Sequence, residues 1–189
     1  MCFLSDLHNK EYGAGNERLL DAICKARPDL ILIGGDMLVG KKGCSFAPAL
    51  EFVSKLPAIA PVYYACGNHE QRMKRKPEVY GEVYQEYQKQ LEECGVHFLE
   101  NSSVLLKEDD CRIRISALEL PLATYTKVQK STGFTRADVT ACIEKKLRIM
   151  RFFWRTIRFI LTHIKNGEQI WCFPGIFTAG LSVCRESEV

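Results

Sequence analysis

The stretch Leu30-Ile31-Leu32-Ile33-Gly34-Gly35-Asp36 decides the fold. Four successive apolar residues, bounded by Pro28 and a pair of glycines, read as a short strand buried on both faces. Strands of that kind belong to parallel sheets covered by helices. The glycines let the backbone turn sharply where the strand stops. Asp36 therefore stands beyond the carboxyl end of a strand, where open α/β sheets bind their ligands.

The same pattern occurs on either side. Upstream, the apolar run Met1–Leu4 ends in Ser5-Asp6-Leu7-His8. Downstream, Pro61–Ala65 ends in Cys66-Gly67-Asn68-His69-Glu70. Between the first two strands, Leu19, Leu20, Ile23 and Cys24 recur at helical spacing, with Asn16 as a capping residue and Pro28 as the stop. A helix over Ala47–Lys55 fills the second gap. A longer polar helix is expected over Glu78–Cys94, with Tyr80, Val83, Tyr87 and Leu91 on one face. Strands are then expected at Val96–Leu99, Ser103–Leu106 and Arg112–Leu118. The alternation predicts an α/β protein with a largely parallel first sheet.

Three strand ends thus carry chemistry. Asp6 and His8 lie two apart, so both can face one centre. Asp36 follows the paired glycines, and Asn68 and His69 follow Gly67 in a third loop. From Asp6 to Asp36 is 30 residues and from Asp36 to Asn68 is 32, one strand–helix–strand repeat each time. Carboxylate, amide and imidazole donors together suit a divalent metal such as manganese, iron or zinc.

Ser-Asp-Leu-His at 5–8, Gly-Gly-Asp at 34–36 and Gly-Asn-His-Glu at 67–70 resemble the first three motifs of the calcineurin-like metallophosphoesterase superfamily. The resemblance covers about residues 1–144. Within it, 30–36 and 61–70 look like the bacterial branch whose members often carry a membrane anchor. It implies a four-layer α/β/β/α sandwich, of which this chain holds a truncated version with the first half of the fold. It also implies that Asp6 and His8 bind one metal, Asp36 bridges two, Asn68 binds the second and His69 acts catalytically near the leaving group. Two divalent cations sharing a carboxylate lower the pKa of a water that attacks phosphorus and offset charge on the phosphoryl oxygens. The implied reaction is hydrolysis of a phosphate ester or phosphoric anhydride, on a phosphorylated small molecule or lipid.

The last third departs from that pattern. The family carries three further histidines in its C-terminal half, whereas here His163 alone follows His97, in a context matching neither motif. Residues 1–144 hold 18 Lys+Arg against 20 Asp+Glu, and residues 145–189 hold 8 against 3. One expectation is a slipped coding frame near Glu144-Lys145-Lys146, leaving 145–189 as an aberrant basic tail whose residues were never selected to pack on the domain. Shifted codons for Trp154–Arg158 permit Ala-His-Asn-Pro, and those for Phe173–Gly180 permit Ser-Gly-His-Phe-His-Gly-Gly. Metal binding and turnover are then expected to be impaired. The alternative takes the tail at face value. It makes Ile143–Ile164 a basic amphipathic helix, with Leu147, Met150 and Phe153 on one face, and the chain a non-catalytic remnant that binds a membrane surface.

Composition limits the other classes. The chain has 189 residues, 47% hydrophobic and 26% charged, as in ordinary globular proteins. No apolar run reaches the length of a membrane span, and the N-terminus lacks a signal-peptide pattern, so the chain as printed is expected in the cytoplasm. The slightly acidic body and the absence of a recognition motif argue against nucleic acid. Nine cysteines at irregular spacing, none in a C-x-x-C pair, are expected to be free and mostly buried.

Overall fold

The computed structural model describes residues 1–108, 111–119, 122, 159–165, 168–172 and 182–183. They fall into two units, Met1–Phe98 with Phe177–Val189, and Leu99–Ile176. The architecture is mixed α/β.

The first unit is built on a five-stranded sheet. Its strands are β1 (Cys2–Leu4), β2 (Ile31–Ile33), β3 (Val62–Ala65), β4 (Val96–Leu99) and β9 (Ser182–Val183), in the order β4-β3-β2-β1-β9. β1 pairs with β2 and β2 with β3, all parallel, through Leu4–Ile33 and Ile33–Tyr64. β9 is antiparallel to β1. Ile31, Leu32, Ile33, Val62 and Tyr64 are completely buried, as a doubly covered parallel sheet requires.

Among its described residues this unit has five α-helices: α1 (Glu17–Ala26), α2 (Ala47–Val53), α3 (Asn68–Arg75), α4 (Pro77–Tyr80) and α5 (Val83–Glu93). Ile23, Phe52, Val53, Met73, Tyr84, Tyr87 and Leu91 carry them into one core with the sheet, and Leu19, Leu20, Tyr80 and Val83 pack against its edge. The apolar stripe expected over 80–91 is therefore the buried one.

Three local expectations change. Asn16 does not cap α1 with its side chain. Its backbone is left-handed at φ 63° and its Oδ1 accepts the N–H of Tyr12 at 2.9 Å, turning back along the chain. The long helix over 78–94 is two, because Gly81 takes φ 67° and donates to Pro77 O at 2.7 Å, closing α4 before α5 begins. Asn68 and His69 lie in the first turn of a helix, α3, rather than in a loop. Gly67 enters this helix in extended conformation, and Arg72, Lys74 and Arg75 fill its last turn, where cations suit the helix dipole.

The second unit holds an antiparallel sheet, β5 (Ser103–Glu108), β6 (Cys111–Ala117), β7 (Phe159–Lys165) and β8 (Glu168–Cys172), in that order. β5 and β6 run in register from Ser103–Ser116 to Glu108–Cys111, and the two serine hydroxyls share a hydrogen bond of 2.7 Å. β6 pairs with β7 and β7 with β8. The helix expected over Ile143–Ile164 is thus not helical at its end, since Phe159–Lys165 is extended and paired on both edges. The stretches 159–165, 168–172 and 182–183 pair within the two sheets. The expected helix over 143–158 and the shifted motifs at 154–158 and 173–180 lie outside the described residues.

Among the described residues no helix is long and apolar enough to cross a membrane. Cys2, Cys24, Cys44, Cys66 and Cys94 are free thiols, and only Cys2 and Cys66 are buried. The expectation of mostly buried thiols therefore fails among the cysteines described.

Candidate functional site

The polypeptide bends sharply at the ends of β1 and β2. Asp6, His8 and Asn9 take φ of 61°, 52° and 55°, and Asp36 takes 55°. Left-handed backbone costs a non-glycine residue about 1–3 kcal/mol and clusters at functional sites. Hydrogen bonds between the two segments hold it in place. The N–H groups of Asp6, His8 and Asn9 donate to the carbonyls of Gly35, Asp36 and Met37 at 3.1, 2.9 and 2.8 Å.

This bending turns Asp6, His8 and Asp36 toward one point. One donor atom from each lies within 4.8 Å of the others. His8 Nε2 is 3.8 Å from Asp6 Oδ1, and the Ser5 hydroxyl donates to Asp6 Oδ2. Asp36 is 2% exposed, whereas Asp6 and His8 are half-buried and open to an incoming ion. Two carboxylates and an imidazole are the donor set of a divalent first-row metal. The residues present fit such an ion.

α3 brings His69 to the same place. Its backbone N–H donates to Asp36 Oδ1 at 2.9 Å, and its ring meets that of His8 edge-on with centroids 4.8 Å apart. The N–H of Gly40 donates to His69 Nδ1 at 2.9 Å. A neutral imidazole that accepts at Nδ1 carries its proton on Nε2. The ring is thereby set up as a donor at its other nitrogen. Asn68, half-buried, is the residue immediately before it in the same turn.

A family model described as calcineurin-like phosphoesterase matches residues 1–171. The chain belongs to the calcineurin-like phosphoesterase family. No curated protein and no solved structure matches it significantly. Family and donor set together make it a metal-dependent phosphoesterase, a hydrolase.

The last residue of the Gly67-Asn68-His69-Glu70 motif of this phosphoesterase has a role that its sequence position does not reveal. Glu70 is completely buried. Its Oε2 accepts the N–H of Asp36 at 2.9 Å and of Gly67 at 3.0 Å. Its Oε1 accepts the N–H of Met37 at 3.0 Å and the Tyr64 hydroxyl at 2.8 Å. A single carboxylate thus ties the turn after β2 to the turn after β3. Burial, reinforced by the Glu70 carboxylate, pushes the Tyr64 phenol well above its ordinary range, so it stays a donor. Tyr64 also shares a hydrogen bond of 3.3 Å with Tyr87.

The glycines allow the two turns to touch. A Cβ on Gly35, whose φ is 83°, would sit 2.1 Å from Gly67 N. A Cβ on Gly67 would sit 2.2 Å from Asp36 Oδ1. Any side chain at either position pushes Asp36 away from α3.

Proposed function

We propose that the chain hydrolyses a phosphate ester or phosphoric anhydride at a dinuclear centre. Asp6 and His8 hold one cation, Asp36 is shared, Asn68 serves the second, and His69 is the catalytic proton donor. The observation that carries this reading is the convergence of Asp6, His8 and Asp36 at the ends of two adjacent parallel strands.

When bound, manganese, iron or zinc would supply Lewis acidity to phosphoryl oxygens and a more acidic water. The chain's own residues do the rest. Asp36, held by the His69 N–H of α3 at its carboxylate and by Glu70 at its own backbone N–H, presents a fixed anion to the centre. His69 holds a proton on Nε2 and can pass it to a leaving oxygen, a transfer typically worth about 10²–10⁴ in rate. The substrate class is a phosphorylated small molecule or lipid.

The finer reading of the C-terminal part rests on codon compatibility. A slip near Lys145 restores histidine motifs of the bacterial, often membrane-anchored branch, and makes 1–144 the intact share of a truncated four-layer sandwich. On that reading the printed chain binds its second metal weakly and turns over slowly. The test has two parts. Sequencing the source DNA across the codons for Ile143–Arg148 decides the frame. Hydrolysis of 4-nitrophenyl phosphate with added manganese, compared with Asp36→Ala, decides the activity: turnover equal in both would refute the assigned site.

A further inference from the structure

A cleft of about 260 Å³ opens beside Asp6 in the first unit. Leu4, Leu7, Met37 and Phe52, each less than a tenth exposed, form its floor, with Leu19 on its wall. Tyr12 and Arg18 also line it, and both are exposed, so they stand at its mouth. Tyr12 is 45% exposed, one of the few large hydrophobic side chains left in solvent among the described residues.

That mouth is built rather than loose. The side chain of Asn16, itself 1% exposed, accepts the N–H of Tyr12 at 2.9 Å. The Tyr12 carbonyl accepts the N–H of Arg18 at 3.1 Å. Gly13 takes φ 83° between them, where a Cβ would meet Glu17 Cγ at 2.8 Å. Among the described residues Arg18 forms no salt bridge, so its charge is available to an anionic ligand.

We propose that this cleft is the subsite for the apolar aryl or alkyl group esterified to the phosphate. The proposal rests on the phosphoesterase reading and deepens it to a substrate class. Asp6 lines the cleft and belongs to the metal cluster, so a phosphate held at the cluster would have the cleft beside it to receive its ester group. The floor offers aliphatic, thioether and aromatic surface, which suits a ring or a short chain. At about 260 Å³ the cleft is smaller than the roughly 300–1,000 Å³ of pockets for drug-sized ligands. It therefore takes one ring or a short alkyl chain rather than a larger body.

The test compares benzylphosphonate with methylphosphonate by calorimetry on the manganese-loaded full chain. In parallel, benzyl alcohol is titrated into the metal-free protein while the methyl resonances of Leu4, Leu7, Leu19 and Met37 are followed. The expected result is at least about tenfold tighter binding of benzylphosphonate, the gain from about 1.4 kcal/mol of apolar contact. Ala22→Phe, which fills the cleft, brings the ratio to about one. Tyr12→Ala, at an exposed position that folding tolerates, lowers it several-fold. Equal binding of the two phosphonates, with no methyl shifted by benzyl alcohol, overturns the cleft. Failure of both phosphonates to bind, with those methyls still shifted, overturns the phosphoesterase reading and leaves an apolar ring site.

Discussion

Asp36 Oδ1 accepts the backbone N–H of His69 at 2.9 Å. The carboxylate proposed to be shared between two metals therefore also caps the helix that carries the proposed proton donor. At a helix N-terminus the partial positive charge favours an anion, and Gly67, the residue before α3, has no side chain to supply one. Asp36 fills that role from 33 residues away. One group holds together two turns that the chain order keeps apart.

Two substitutions separate these roles. Asp36→Ala removes both and should lower stability by about 1–2 kcal/mol, the usual value of a lost cap, together with manganese binding. Asp36→Asn keeps an acceptor oxygen for His69 while losing the charge. It should melt within a few degrees of the parent and still bind manganese at least about tenfold more weakly. Differential scanning fluorimetry and calorimetry read the two effects independently.

Glu70 should be the costliest polar side chain to remove. Glu70→Ala leaves three backbone N–H groups and the Tyr64 hydroxyl without their buried acceptor, and about 3–5 kcal/mol is expected for breaking such a buried charged network. Glu70→Gln retains one oxygen and should cost about half as much. Urea unfolding measures both, and equal stabilities would contradict the role as a tie.

Gly35→Ala combines a side chain at φ 83° with a Cβ 2.1 Å from Gly67 N. Strain of about 1–2 kcal/mol in left-handed backbone adds to an overpacking cost of about 1–3 kcal/mol. The variant should unfold at clearly lower urea than the parent. Gly43→Ala, with open space around the Cβ, should show the strain alone.

Alkaline pH should destabilise the fold. Burial holds the phenols of Tyr64 and Tyr87 above their ordinary value of 10.0, and the Glu70 carboxylate adds to the effect. Burial likewise pushes the Cys2 thiol from 9.0 to about 11. A group whose folded value is raised stabilises fully below its unfolded value and loses that contribution as the pH climbs through the folded one. Stability should hold to about pH 9 and then fall, by up to about 1.4 kcal/mol per pH unit for each group still protonated in the fold. Unfolding curves of the parent and Tyr64→Phe between about pH 8 and pH 11 check this, with the variant showing the shallower decline.

The parallel sheet and the three strand ends were legible because each strand is a continuous apolar run closed by polar groups, with glycine at the turn after β2 and after β3. Leu30–Asp36 states this within seven residues. α3 was not legible, because Asn68–Arg75 contains Met73 as its single apolar residue and has no periodicity to detect. The role of Glu70 was hidden for a different reason. Two of its partners, Asp36 and Met37, lie 34 and 33 residues away and become neighbours only when β2 and β3 pair. β7 departs from the alternative helix over Ile143–Ile164 because Ile160 and Leu161 continue the period of Leu147, Met150 and Phe153, whereas pairing with β6 and β8 extends Phe159–Lys165. Local pattern identifies an apolar stretch, but tertiary pairing decides its conformation.

The most direct measurement is calorimetric titration of the metal-stripped full chain with manganese, repeated on His8→Ala. Saturable binding of at least one ion per chain is predicted, weakened at least about tenfold by His8→Ala. Absence of saturable binding, or binding that His8→Ala leaves unchanged, would contradict a metal centre at Asp6, His8 and Asp36.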